Sequence, residues 1–321
     1  MLRKTYAVLV AVALAATASP SQAQEKLLIG STSASSSHYG YFVAVSQLIN
    51  DKVKNVSTSV VETGATVDNL RRLSRKQVDL GLVTTNTGFQ AYKGTGDFDG
   101  KPVDTRLLWV YVAAPQNVIV RADSGVTKLD ELKGKQFNPG LRGSSTEKTT
   151  EAVFKALGIE IDAVRGSTSD IVAAIKDNRA IGYVKSGAGN KLDGSTMDIA
   201  TFTKLNVLSL TPEQADKIRQ DLPELGVVDV PSGAGDGIPA YTTWSFGVAT
   251  HARPDLDEET AYQITTAIME DETVQANAMA ALKDDNLAET TLKYGSVPLH
   301  PGAAKYFKEK GYDIPERLQP K

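Results

Sequence analysis

The 321-residue chain alternates short apolar runs with segments whose apolar residues recur at helical spacing. The apolar runs predict strands at 26–30, 57–62, 80–84, 107–112, 118–121, 136–138, 181–184, 205–210 and 241–250. Helices are predicted at 41–52, 67–75, 129–133, 144–157, 171–176 and 212–221, and the residues after 250 are predicted to be mainly helical. This alternation is typical of parallel α/β units, so the predicted fold class is α/β.

A stretch rich in glycine and proline, residues 231–240, interrupts the pattern and predicts a long turn. A chain of this length is expected to form two domains. We predict that lobe 1 consists of residues 24–115 plus 241–321 and lobe 2 of residues 116–240. Two crossing strands would then form a hinge near 113–117 and 237–243, with a cleft between lobes that closes on a ligand.

The first 23 residues have the features of a secretory signal peptide. Arg3 and Lys4 precede an apolar stretch at 6–16, and Ser21-Gln22-Ala23 places small residues where a signal peptidase reads. We expect cleavage after Ala23 and a periplasmic mature protein; a buried N-terminal helix is the alternative. The apolar stretch is shorter than the roughly 20 residues that span a bilayer. Because the chain has no cysteine, a lipid anchor on cysteine and disulfides are excluded.

Charge and motif content disfavour several function classes. The formal net charge is −3, and loss of Arg3 and Lys4 would make it −5 (−3 minus 2). This mild acidity, without a basic run, argues against nucleic acid as a partner. The three histidines are far apart, so no metal site is expected. The G-x-S-x-G, P-loop and H-E-x-x-H motifs are absent, and we therefore expect no catalytic residues and no cofactor.

Four polar turns follow predicted strands, and ligands of open parallel sheets bind at the carboxyl ends of strands. Helix N-termini in such turns offer unpaired N–H groups to a carboxylate or phosphate. Arg142 and Lys185 are the cations of these turns and would offset the charge of a small anion. The candidate ligand-binding residues are Ser31, Thr32, Ser33, Ser36, Ser37, His38, Tyr39, Thr85, Asn86, Thr87, Arg142, Gly143, Ser144, Ser145, Thr146, Lys185, Ser186 and Gly187.

Each of these residues also has a plainer interpretation. Ser144, Ser145 and Asn86 are residue types that ordinarily cap helices. Arg142 would by default be a solvated charge, and His38 is interpreted as a surface or capping residue. A different function class, an exported enzyme, would use His38 as a base for a neighbouring serine nucleophile.

Several ordered blocks of the sequence resemble one family. These are the run at 30–39, the Val60–Leu70 segment V-V-E-T-G-A-T-V-D-N-L, the segment V-D-L-G-L-V-T-T-N at 78–86, the run V-R-A-D-S-G-V at 120–126, the turn G-S-S-T at 143–146 and V-P-L-H-P-G-A-A-K-Y at 297–306. Together they resemble the TAXI family, the extracytoplasmic receptors of one branch of the tripartite ATP-independent periplasmic (TRAP) transporters.

The resemblance implies a type II periplasmic-binding-protein fold, with two α/β lobes joined by a two-strand hinge around the ligand cleft. It also implies no catalysis and delivery of ligand to membrane permease subunits, driven by an ion gradient. Family ligands include small carboxylates, so we expect a dicarboxylate or an acidic amino acid such as glutamate or 2-oxoglutarate. An ABC-transporter or sensor receptor is the alternative. Serines at 33 and 35–37, Ser145 and Lys185 depart from the family pattern, so ligand identity is not carried over.

Overall fold

The computed structural model describes residues 24–222, 224–283 and 285–321. The predicted signal peptide, residues 1–23, lies outside the described residues. The strands are β1 (Glu25–Gly30), β2 (Val56–Val61), β3 (Leu80–Thr84), β4 (Arg106–Arg121), β5 (Gln136–Asn138), β6 (Asp162–Ala163), β7 (Gly182–Ser186), β8 (Leu205–Leu208), β9 (Gly226–Val230) and β10 (Tyr241–Ala252). The helices are α1 (Ser37–Lys52), α2 (Thr66–Ser74), α3 (Thr85–Lys93), α4 (Ser145–Leu157), α5 (Thr168–Lys176), α6 (Gly194–Ala200), α7 (Pro212–Asp221), α8 (Glu258–Met269), α9 (Val274–Ala278), α10 (Leu287–Tyr294) and α11 (Pro301–Glu309).

The strands form a continuous mixed sheet in the order β2-β1-β3-β10-β4-β7-β5-β6. The first three strands are parallel, and β10 joins them antiparallel to β3. On the other side, β5 is parallel to both β6 and β7. Two parallel groups therefore flank a central antiparallel pair, β10 and β4, and each group forms the sheet of one α/β lobe.

Strand β4 belongs to both groups. Its first part, Arg106 to Pro115, pairs with β10, and its second part, Gln116 to Arg121, pairs with β7 and β8. The bounds predicted for two separate strands, 107–112 and 118–121, were wrong, whereas the crossing strand expected near 113–117 is present within β4. The intervening residues 113–117 contain Pro115, which lowers strand propensity, but Pro115 lies where β4 passes from one partner to the next. The proposed lobe boundaries at residues 115 and 240 stay a prediction.

Helices α1, α8 and α11 cover the lobe 1 sheet and bury a continuous apolar core with it. Within that core the rings of Tyr41 and Tyr111 are stacked, with centroids 4.1 Å apart, and Phe42 meets Tyr111 edge-on. In lobe 2, Phe137 from β5 packs against Phe154 from α4. No helix in the described part of the chain has the length and apolar character needed to cross a membrane.

The fold brings the starts of several helices to one place. Helices α1, α2 and α3 each follow a strand of the lobe 1 parallel group, and α4 follows β5 of lobe 2. Because parallel strands end at the same edge of their sheet, the N-termini of these helices gather at the carboxyl edges. Those two edges face each other across the cleft between the lobes.

Candidate functional site

A cavity of about 40 Å³ lies between the two lobes. Eight of the sequence-predicted residues line it, and they come from three of the four predicted turns: Thr32, Ser36, His38, Ser144, Ser145, Thr146, Lys185 and Ser186. A cavity of about 40 Å³ holds a few waters or a very small solute, since one water molecule takes up about 10–15 Å³ of such a volume.

The remaining predicted residues do not line the cavity. They are Ser31, Ser33, Ser37, Tyr39, Thr85, Asn86, Thr87, Arg142, Gly143 and Gly187. Several of them support it instead: Thr87 Oγ1 and Ser145 Oγ are 2.7 Å apart, and Asn86 Oδ1 accepts a hydrogen bond from Ser145 at 3.2 Å. These bonds join α3 of lobe 1 to α4 of lobe 2. Arg142 is exposed to solvent on its loop.

The first serine-rich turn is held by buried polar side chains. The Ser31 carbonyl accepts hydrogen bonds from Asn69 Nδ2 at 2.8 Å and from Thr63 Oγ1 at 2.7 Å. Ser36 then caps α1, because its hydroxyl accepts from the His38 N–H at 3.3 Å. Since α1 begins at the cavity wall, this cap also fixes the position of Ser36 in the lining.

The turn before α4 contains Ser144 and Ser145, which the sequence analysis treated as equal candidates for the N-cap of that helix. Ser144 is the N-cap and accepts from the Glu147 N–H at 3.2 Å. Ser145 is the first residue of the helix, and its hydroxyl makes the cross-lobe bonds instead. Asn86 is not a cap either, since the N-cap of α3 is Thr84.

Lys185 is the one charged residue in the described lining of the cavity, and it faces a buried carboxylate. Its Nζ lies 3.6 Å from Asp193 Oδ1 and donates to Ser36 Oγ at 3.3 Å. Asp193 is 0% exposed and accepts from Ser36 Oγ and Ser37 N, both at 2.9 Å, and from Ser195 N and Oγ. Burial alone would raise the pKa of the Asp193 carboxyl, but the Lys185 charge, the His38 ring and the two Ser195 donors outweigh it and hold the pKa below its usual range.

Asp193 was not among the sequence-predicted residues. It is the N-cap of α6, a helix that the sequence analysis did not predict. The pattern Asp193-Gly194-Ser195 contains a standard N-cap residue and was the available signal. Through Ser36 and Ser37 the carboxylate joins the start of α6 in lobe 2 to the start of α1 in lobe 1.

His38 is buried, so its interpretation as a surface residue was wrong. Its Nδ1 lies 2.9 Å from Tyr111 OH inside the lobe 1 core. Burial lowers the pKa of His38 to about 4, so the imidazole is neutral at pH 7. In the described structure no serine hydroxyl is hydrogen-bonded to the His38 ring, and the serine–histidine pair that the enzyme hypothesis needs is not formed.

The start of α2 contributes lining residues that the sequence analysis missed. Ala65 and Thr66 line the cavity, and α2 begins without a side-chain cap. Ala65 has φ 66° and ψ −147°, a backbone conformation that costs a residue with a Cβ about 1–3 kcal/mol. The other missed lining residues are Leu82, Thr84, Leu141, Val184 and Val248. Thr84 and Leu141 lie within predicted turns, and Val184 directly precedes one. The described residues contain no cluster of three metal-ligating side chains.

Strand β10 is shared in the same way as β4, because it pairs with β3 and also with β9. Two α/β lobes, these two shared strands and a polar cavity between facing helix starts define the class of the periplasmic binding proteins of type II fold. The chain belongs to the NMT1-like family, whose model matches residues 29–311. The TAXI resemblance stays a prediction.

Solved structures show the same fold at low sequence identity. The ligand-binding component of an ABC-type import system from Staphylococcus aureus, with zinc bound, is 12% identical, with a TM-score of 0.51; the match covers 92% of this chain and 97% of that one. A putative L-cystine ABC transporter from Listeria monocytogenes is 13% identical, with a TM-score of 0.52, over 82% and 98%. A protein described as a periplasmic transporter is 17% identical, with a TM-score of 0.52, over 90% and 93%. At these identities the likeness concerns the fold.

Proposed function

We propose that this protein is an exported solute receptor that captures a small carboxylate between its lobes and delivers it to a membrane permease. The observation that carries the proposal is the composition of the interlobe cavity. The starts of α1, α2 and α4 line it together with the Lys185 ammonium. Helix N-termini and an ammonium are groups that bind anions, and here they come from both lobes.

The start of α2 is the part of the cavity best suited to a carboxylate. The first N–H groups of a helix have no partner within the helix, and α2 has no side-chain cap to take one of them. Thr66 adds a hydroxyl at the same point, and Ser145 and Thr146 begin α4 across the cavity. A carboxylate between the two helix starts would accept hydrogen bonds from both lobes, which favours the closed arrangement.

We further propose that the receptor is periplasmic, with the signal peptide removed after Ala23, and that it serves a TRAP transporter of the TAXI type. The ordered sequence blocks support this transporter type. The ABC alternative is supported by two structural relatives, of which one is described as the ligand-binding component of an ABC-type import system and the other as a putative ABC transporter. Uptake into vesicles that hold the cognate permease separates the two. Uptake driven by an ion gradient without ATP supports TRAP, and a requirement for ATP supports ABC.

A binding screen tests the receptor function itself. Mature protein, residues 24–321, would be screened by thermal shift against monocarboxylates, dicarboxylates, amino acids and neutral metabolites, with assays for conversion of each compound. A ligand at about 1,000 times its Kd adds roughly 4 kcal/mol of stability and raises Tm by several degrees. A shift with carboxylates and no conversion supports the proposal. A shift only with neutral compounds, or turnover of any compound, contradicts it.

Substitutions of Lys185 and of Arg142 then test which of these two cationic side chains contacts the ligand. We expect Lys185→Met to weaken carboxylate binding about 10-fold to 100-fold, because a hydrogen bond to a charged partner contributes about 1.5–3 kcal/mol. Arg142→Ala is the matched control and should leave Kd unchanged, because Arg142 is exposed and does not line the cavity. Isothermal titration measures both. Loss of affinity in the Arg142 variant alone would reverse the assignment.

A further inference from the structure

We propose that the cavity is matched to a ligand with a single carboxylate, and that Asp193 is the residue that sets this limit. The inference rests on the proposed receptor function and adds the charge of the ligand. It departs from the sequence-based expectation of a dicarboxylate or an acidic amino acid. Once the protein's own contacts are made, few cationic groups in the cavity remain available to a solute.

The Lys185 ammonium is already shared with a carboxylate of the protein. Asp193 is fully buried at 3.6 Å from Lys185 Nζ, and the lysine also donates to Ser36. At a separation of 3.6 Å inside a protein, the attraction between two opposite charges is strong. A solute carboxylate that approaches Lys185 therefore meets an ion pair, and the positive charge of that pair is balanced by Asp193.

Asp193 also occupies the donors at two helix starts. The α1 start gives it the Ser36 hydroxyl and the Ser37 N–H, and the α6 start gives it the N–H and hydroxyl of Ser195. These four donors are unavailable to a ligand. What remains is the start of α2, which has no side-chain cap, the start of α4 and the outer side of Lys185. This set is sufficient for one carboxylate.

A second carboxylate on the same solute would find no cation in the described lining. His38 is neutral at pH 7. The remaining walls are hydroxyls and the apolar side chains of Ala65, Leu82, Leu141, Val184 and Val248. Arg142 is exposed outside the lining. A buried carboxylate without a cationic partner carries a large desolvation cost. Closure of the cleft would therefore discriminate against a dianion.

Matched acid pairs test the inference on the unmodified protein. Butanoate is compared with succinate, and propanoate with malonate, by isothermal titration at pH 7 and fixed ionic strength. We expect the monocarboxylate of each pair to bind at least 10-fold more tightly. Succinate binding as tightly as butanoate, or more tightly, would overturn the inference while leaving the receptor function intact. If none of the four acids binds, the same comparison is made between the carboxylate found in the thermal-shift screen and its analogue with one carboxylate more or fewer, and equal or tighter binding of the dianion overturns the inference. If that screen finds no carboxylate ligand, the receptor proposal itself fails.

Asp193→Asn tests the role of Asp193, because asparagine is nearly isosteric and also caps helices. Removing the buried negative charge leaves the Lys185 charge unbalanced, so the preference for the monocarboxylate should fall at least 5-fold. Asp193→Ser, a smaller neutral cap, provides a second variant if the asparagine variant does not fold. Circular dichroism confirms the fold of each variant before titration. An unchanged preference in a folded variant would show that Asp193 does not set the limit.

Discussion

Asn69 shows how one buried amide positions the polar turn at the edge of the cleft. The residue is 0% exposed, and its Nδ2 donates to the carbonyl oxygens of Ser31 and Leu82 at 2.8 and 2.9 Å. It thereby ties α2 to the residue after β1 and to the middle of β3. The approach is close, since a Cβ on Gly30 would lie 2.5 Å from Asn69 Oδ1. A glycine is therefore required at the end of β1.

Replacing Asn69 by alanine should lower the free energy of unfolding by about 1–3 kcal/mol, because the Leu82 carbonyl loses this donor, whereas the Ser31 carbonyl keeps the hydrogen bond from Thr63. Urea denaturation followed by circular dichroism measures this loss. Asn190→Ala is the matched control, because Asn190 is exposed, and it should change stability by less than about 0.5 kcal/mol. Equal stability of the two variants would contradict the role given to Asn69.

The types of residue that lie at the cleft could be predicted from the sequence, but the structural role of each of these residues could not. The sequence placed Ser36, Ser144 and Lys185 at the correct strand ends, because the ends of parallel strands converge in this fold. It could not show which of Ser144 and Ser145 caps α4, since that depends on α3 from the other lobe. The burial of His38 and its contact with Tyr111 also depend on residues distant in the sequence.

At the scale of elements, patterns with strong local signals were predicted well. Helix α7 has the predicted bounds, with Thr211 as its cap and Pro212 at its first position. The prediction failed where tertiary contacts decide, as in β4, which continues through Pro115 because it has partners on both sides. The short helix α6 was not predicted because it carries few apolar residues. Strand β9 has three valines, but its five residues are too few to show a period, and it was not predicted either.

The backbone conformation at the start of α2 leads to a prediction about the stability of this helix. Ala65 has φ 66° and ψ −147°, a region that glycine enters without steric cost. Ala65→Gly should therefore raise the free energy of unfolding by about 1 kcal/mol, as relief of about 1–3 kcal/mol of strain exceeds the roughly 0.5–1 kcal/mol entropic cost of glycine. Ala44→Gly, in the interior of α1, is the control and should destabilise by about 1 kcal/mol. Destabilisation by both, measured in urea, would show that Ala65 is not strained.

The whole molecule should lose stability as the pH falls below neutrality, because it buries neutral histidines. Burial lowers the pKa of His38 to about 4 and that of His251 to about 3, and it also lowers the pKa of His300. In the unfolded chain these groups titrate near 6.5, so between pH 6.5 and about 4.5 the unfolded state binds more protons. Stability is complete above pH 6.5 and falls by about 1.4 kcal/mol per pH unit for each fully buried histidine.

The variant His251→Asn isolates the contribution of this histidine to the pH dependence of stability. His251 lies in lobe 1 with its Nδ1 3.0 Å from Thr105 Oγ1, away from the cavity lining. In the variant, the slope of unfolding free energy against pH should decrease by about 1.4 kcal/mol per unit between pH 6.5 and 4.5. The slope is compared rather than the absolute stability, because the smaller side chain also leaves a void. An unchanged slope would mean that His251 does not titrate as inferred.

The arrangement of the two lobes depends on direct bonds between them, and Ser145 makes two of these. Its hydroxyl bonds to Thr87 and Asn86 across the cleft, while Asp193 provides a separate link to Ser36 and Ser37. Removing the Ser145 hydroxyl should shift the equilibrium toward an open form by about 1–3 kcal/mol, since each hydrogen bond contributes about 0.5–1.5 kcal/mol.

Small-angle X-ray scattering without added ligand measures this shift, and Ser145→Ala should have a larger radius of gyration than the unmodified protein. Thr149→Val is the matched control, because the Thr149 hydroxyl bonds to carbonyls within α4 and reaches no residue of lobe 1. Its radius should be unchanged. If Ser145→Ala also leaves the radius unchanged, the bonds that Asp193, Lys185 and Gly194 make to the start of α1 are sufficient to hold the lobes together. The α3–α4 bonds would then position side chains in the cavity without contributing to closure.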